Sequence, residues 1–118
     1  MKQENGKKSR TFLFGKEIPA AAAGAGITRK VLAYSGDMMV CWLELQKGAE
    51  IPTHQHIHEQ STTVVAGKCL YTVDGETREV GAGDCVMIGP DVPHSIVVLE
   101  DMTAVDTFSP MREDFLAE

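Results

Sequence analysis

The chain has no apolar run near the ~20 residues that a bilayer crossing needs; stretches such as Cys85–Ile88 and Ile96–Leu99 are strand-sized. It is also short of cationic residues. Eleven Lys and Arg stand against 17 Asp and Glu, a net charge of −6, which argues against a nucleic-acid surface built to displace phosphate counterions. An anionic ligand would have to be drawn in by local charge, from a metal ion or one well-placed arginine. Paired cysteines are missing too. Cys41, Cys69 and Cys85 are scattered through apolar segments with no CxxC spacing, which removes zinc knuckles and dithiol redox motifs and predicts reduced core thiols. Near the N-terminus, Lys16, Glu17 and Pro19 interrupt the apolar region that a signal peptide would need. A cytoplasmic protein with no membrane and no nucleic-acid partner is expected.

At 118 residues the chain has room for one core, since a domain takes roughly 100 to 150 residues. The punctuation is that of an all-β protein, with short segments rich in Val, Ile, Thr and Met separated by Gly, Asp and Pro. Predicted strands are Ile27–Tyr34, Met38–Gln46, Thr62–Ala66, Cys69–Val73, Glu76–Val80, Cys85–Ile88, Ser95–Leu99 and Thr103–Phe108. Residues 1–26 are expected as a partly flexible arm, with 20–26 a loose linker or weak helical turn, and residues 27–118 as the barrel. Asp74-Gly75 reads as a two-residue hairpin turn, and Met111–Ala117 as a short terminal helix. A closed or nearly closed antiparallel barrel manages the edges of so many strands.

Three of the four histidines, His54, His56 and His58, fall within five residues, and Gln60 follows. Taken singly, each would be an ordinary loop histidine. Residues two apart in a strand face the same way, so His54 and His56 can reach one metal ion. Gln60 and His94, from beyond a bend and from a partner strand, would complete the site with positions left open. At the other end of the chain, alternation puts Asp106 and Phe108 on one face. If that face is interior, Asp106 becomes a candidate acid/base with a raised pKa, and Arg112 could fork onto a substrate carboxylate. Read from the residues alone, a structural ion pair between Asp106 and Arg112 is the favoured alternative.

The spacing G(x)5HxH(x)3Q(x)6G, from Gly48 to Gly67, resembles the first motif of the cupin family, with Gln in the place usually held by Glu. The stretch Gly83–His94, GDCVMIGPDVPH, is similar to the second. The resemblance implies a single-domain jelly-roll barrel with one divalent ion (Ni, Zn, Fe, Mn or Co) on His54, His56, Gln60 and His94. His58 matches no ligand position and is expected in the loop or behind the ligands. A neutral amide in place of a carboxylate would leave the full +2 on the metal, which suits an anionic ligand.

HxHxHEQ, GPDVPH and VDTFSPMREDF together resemble a narrower group, the small cupins called KdgF. That likeness implies conversion of a 4,5-unsaturated monouronate, a small anionic sugar acid, to linear 5-keto-4-deoxyuronate. By resemblance, Asp106, Phe108 and Arg112 are its active-site Asp, aromatic and Arg. Cupins also include Fe(II) dioxygenases and non-catalytic sugar-binding barrels, which stand as alternatives. A homodimer is expected from the same family habit, with a strand around Thr11–Lys16 covering a neighbour's edge.

Overall fold

The computed structural model describes residues 7–116. Strands form because the chain alternates. In Met39–Leu45 the side chains of Met39, Cys41, Leu43 and Leu45 are buried and those between are less so, the period of two that a pleated backbone imposes. Each such side chain, fully buried, contributes roughly 1.5–3 kcal/mol, which sets the register of the strand firmly.

The strands are β1 (Ala21–Gly24), β2 (Ile27–Tyr34), β3 (Met39–Leu45), β4 (Glu50–His54), β5 (Glu59–Val73), β6 (Glu76–Gly81), β7 (Cys85–Ile88) and β8 (His94–Ser109). A 3-10 turn at Gly15–Glu17 precedes them and α1 (Glu113–Leu116) follows. Every pairing is antiparallel. The order β1-β2-β3-β8-β5-β6 is extended by β4 on β8 and β7 on β5.

The two long strands build the barrel. The later half of β8 pairs with β3 and its first residues with β4; the first residues of β5 pair with β7 and its later half with β6. Each therefore runs from one layer into the other, and the core fills the space between, from Ile27, Met39 and Leu43 to Tyr71, Ile96 and Val98. This all-β jelly roll is the fold that the cupin resemblance implies.

The bends explain where the strand prediction differs from the structure. Thr62–Ala66 and Cys69–Val73 are one strand, as are Ser95–Leu99 and Thr103–Phe108. Gly67-Lys68 and Glu100-Asp101 mark the passage between layers rather than chain reversals. β5 slips register against β8 between Val64 and Cys69, and Gly67 sits there at φ +80, where a Cβ would lie 2.8 Å from the Met102 Cα. Only glycine lets the backbones meet so closely.

Asp74 and Gly75 both have positive φ, 50 and 85, as a type I′ hairpin turn requires. Four expectations are corrected. Residues 20–26 hold β1 rather than a linker or helical turn, because Ala21 and Ala22 pair with Arg29 and Thr28. Thr11–Lys16 forms no strand: among the described residues it pairs with no strand and runs into the 3-10 turn, whose Gly15 carbonyl accepts from the Lys30 ammonium at 2.8 Å. β4 went unpredicted because Pro52 and the polar residues around it hide a strand that is mostly exposed. Cys41 and Cys69 are buried thiols, but Cys85 lies exposed on β7. The terminal helix spans Glu113–Leu116; Ala117 lies outside the described residues.

Candidate metal centre

His54 ends β4 and pairs with His94, the first residue of β8. His56 lies beyond the end of β4, so it reaches the site through a loop rather than along a strand face, and Gln60 enters from the start of β5. Ring centroids are 4.2 Å apart for His54 and His94, 5.0 Å for His56 and His94, and 5.6 Å for His54 and His56. One ligating nitrogen from each ring comes within 4.8 Å of the other two. These three histidines could hold a metal ion.

Hydrogen bonding behind the rings decides which nitrogens are offered. Nδ1 of His54 faces the Pro52 carbonyl at 2.9 Å, Nδ1 of His56 that of His58 at 3.0 Å, and Nδ1 of His94 that of Val92 at 2.8 Å. A carbonyl only accepts, so each Nδ1 carries the hydrogen and each Nε2 keeps a lone pair.

Those lone pairs test the fit of a cation. His94 is 2% exposed and its Nε2 is buried with no hydrogen-bond partner; burial also holds its pKa below the usual histidine value. A neutral acceptor without a donor costs about 1–3 kcal/mol. Nε2 of His56 faces Oε1 of Gln60 at 2.9 Å, so two acceptors oppose each other. A divalent ion among these atoms satisfies both conditions, and imidazole with amide oxygen suits Zn, Ni, Fe, Mn or Co. His58 stays behind the set, lending its carbonyl to His56, with its ring 5.5 Å from that of His56.

A cavity of about 210 Å³ opens beside these residues, lined by His54, Gln60, His94, Asp106, Phe108 and Arg112, among others. A larger cleft of about 920 Å³ between β6 and β7 has none of the histidines in its wall. Asp106 and Phe108 share the interior face of β8, as alternation predicts. Burial pushes the Asp106 carboxyl up to about 6, although the residue as a whole is only half-buried, because the carboxyl is the part turned inward. Arg112 makes no direct ion pair with it among the described residues. Instead Nε and Nη2 of Arg112 donate to the two carboxyl oxygens of Asp114 at 3.1 and 2.9 Å. Of the five N–H donors on a guanidinium, that fork takes two and leaves three.

Further residues complete the site. Arg29 of β2 lines the cavity and stacks 3.6 Å from the centroid of Phe115. The Thr62 hydroxyl donates to Asp106 at 2.7 Å and lies 2.9 Å from the Tyr71 hydroxyl. The sequence held a signal for two of them: Thr62 shares a strand face with Gln60, and Arg29 sits between the inward Ile27 and Val31.

Comparison with known proteins agrees with this geometry. Residues 41–108 match the cupin domain family. The chain is 38% identical over 109 residues to the pectin degradation protein KdgF of Dickeya dadantii, covering 91% of this chain and 99% of that one. Among solved structures, an RmlC-like cupin from Shewanella frigidimarina superposes with a TM-score of 0.89 at 36% identity, covering 92% of this chain and 97% of the other. KdgF from a Halomonas species superposes with a TM-score of 0.86 at 32% identity, over 91% and 99%. With both histidine motifs, the jelly roll and near-complete coverage in agreement, the chain belongs to the cupin family, in its KdgF group.

Proposed function

We propose that this protein converts 4,5-unsaturated monouronates, small sugar acids of pectin and alginate breakdown, into linear 5-keto-4-deoxyuronate. The observation that carries the reading is one small cavity walled by His54, Gln60 and His94, which with His56 could hold a cation, and by the Asp106 carboxyl and Arg112. Its volume, about 210 Å³, is below the roughly 300–1,000 Å³ of drug-sized pockets, a monosaccharide scale.

The reaction is an isomerisation that needs one proton taken and one returned. The anomeric hydroxyl loses its proton, the C1–O5 bond breaks as the C1 aldehyde forms, and the electron pair passes to O5 as an enolate. Protonation at C4 then gives the C5 ketone. Asp106, near the middle of its titration at mildly acidic pH, takes the first proton and returns it at C4. Arg112, oriented by Asp114, presents its remaining donors to the sugar carboxylate. Phe108 is 3% exposed and packs the ring. A divalent ion held by His54, His56, Gln60 and His94 would supply positive charge for the oxyanion at O5.

The test follows loss of the unsaturated sugar's ultraviolet absorbance with metal-loaded protein. Decay well above the buffer rate is expected, with Asp106→Ala at least about 100-fold slower. Wild-type protein that leaves the decay at the buffer rate, or an Asp106→Ala variant as fast as wild type, rejects the reading.

A further inference from the structure

Gln60 has a carbonyl oxygen and an amino group at the end of one side chain, and only the oxygen can ligate a cation. We infer that Thr62 and Tyr71 are positioning residues that hold the Gln60 amide with its oxygen toward the three imidazoles. The inference rests on the metal centre proposed above.

Donors and acceptors can be assigned one atom at a time. With Asp106 ionised, its Oδ1, 2.7 Å from Oγ1 of Thr62, can only accept, so the single hydroxyl proton of Thr62 points to Asp106. The Tyr71 hydroxyl, 2.9 Å from the same Oγ1, must then donate to Thr62. Oγ1 has given its only proton, so the Gln60 atom 3.1 Å away is also a donor, namely Nε2. The amide nitrogen is thereby committed to the Thr62 side, and Oε1 is left 2.9 Å from His56 Nε2. With the amide reversed, its oxygen would meet the Thr62 lone pairs.

The three side chains that set the orientation have little surface open to water, which would otherwise satisfy either one. Thr62 is 1% exposed, Tyr71 2% and Gln60 5%. Gln60 and Thr62 are adjacent on the inward face of β5, and Tyr71 lies on the same strand after it has passed into the second layer, so it reaches back across the interior. Thr62 is also the cross-strand partner of Asp106. Backbone register alone therefore brings the metal ligand, the hydroxyl and the acid together.

The experiment measures Co²⁺ affinity of the purified, metal-stripped protein by competition with a chromophoric chelator, together with the visible spectrum of the Co²⁺ form. Thr62→Val, which keeps shape and loses the hydroxyl, is expected to weaken binding about 10- to 100-fold, as loss of a partner behind a ligand does, and to change the Co²⁺ bands. Thr62→Ser restores both. In a Gln60→Ala background Thr62→Val should have no further effect, because the relay acts only through that amide. Wild-type affinity and spectrum in Thr62→Val, or an equal loss with Gln60 already gone, overturns the inference. If Thr62→Val does not fold, Tyr71→Phe replaces it, expected to weaken binding less but only while Gln60 is present; unchanged binding there overturns the inference. Wild-type protein that takes up no Co²⁺ removes the metal centre itself, and the relay falls with it.

Discussion

Asp106, the acid/base of the proposed reaction, carries a cost to the fold. Its folded-state pKa of about 6 lies above the ordinary value of 3.8, so folding favours the protonated form. Stability from this group is fully present below about pH 4 and is lost as the pH rises through about 6, and a shift of about two units corresponds to about 3 kcal/mol. Asp106→Asn cannot ionise. In urea melts of metal-free protein it is expected to gain roughly 2–3 kcal/mol over wild type at neutral pH and to flatten the dependence between pH 4 and 7, as active-site groups that oppose stability do. An Asn variant no more stable than wild type would mean that burial is not what holds the carboxyl up. At this scale the gathering of the candidate residues was legible in advance: His54, His56, Gln60, His94, Asp106, Phe108 and Arg112 all line or adjoin one cavity. Thr62, Tyr71 and Arg29 were not foreseen, because a threonine, a tyrosine and an arginine in strands have ordinary uses and only register reveals what they meet.

Elements were harder to read than residues. β5 and β8 each looked like two strands, since glycine and acidic pairs interrupt an apolar alternation both at a hairpin and at a bend, and single-chain pattern does not distinguish them. β4 was hidden for another reason: four of its five residues are exposed, so burial leaves little alternation to detect. The bend in β5 has its own consequence. Gly67→Ala must place a methyl group against the backbone around Asp101 and Met102 at a φ that alanine disfavours, and is expected to cost about 2–4 kcal/mol. Gly15→Ala, where nothing lies within 4 Å, serves as the comparison in the same denaturant titration. Equal midpoints for the two variants would refute the close approach of β5 to β8.

For the whole molecule, metal and fold should be linked. The four candidate ligand residues arrive from β4, the loop after it, β5 and β8, so an ion bound there would tie together segments that unfolding would separate. At free metal about 100-fold above the dissociation constant the added stability is about 2.7 kcal/mol, which in a domain of this size raises Tm by roughly 8–15 °C. Calorimetry with Zn²⁺ or Ni²⁺ against a chelator reads it; coincident melting curves would argue that the histidines bind nothing. Finally, β5 and β8 serve as rulers. His94 opens β8 and Asp106 stands twelve positions along it; Gln60 and Thr62 begin β5 opposite Phe108 and Asp106. Adding or deleting one amino acid between Leu99 and Met102 would turn Asp106 and Phe108 to the outer surface while leaving the imidazoles in place. Replacements around the cavity wall would therefore tune the proposed reaction gradually, whereas a change in the length of either ruler would uncouple the proposed acid from the candidate metal ligands in a single step.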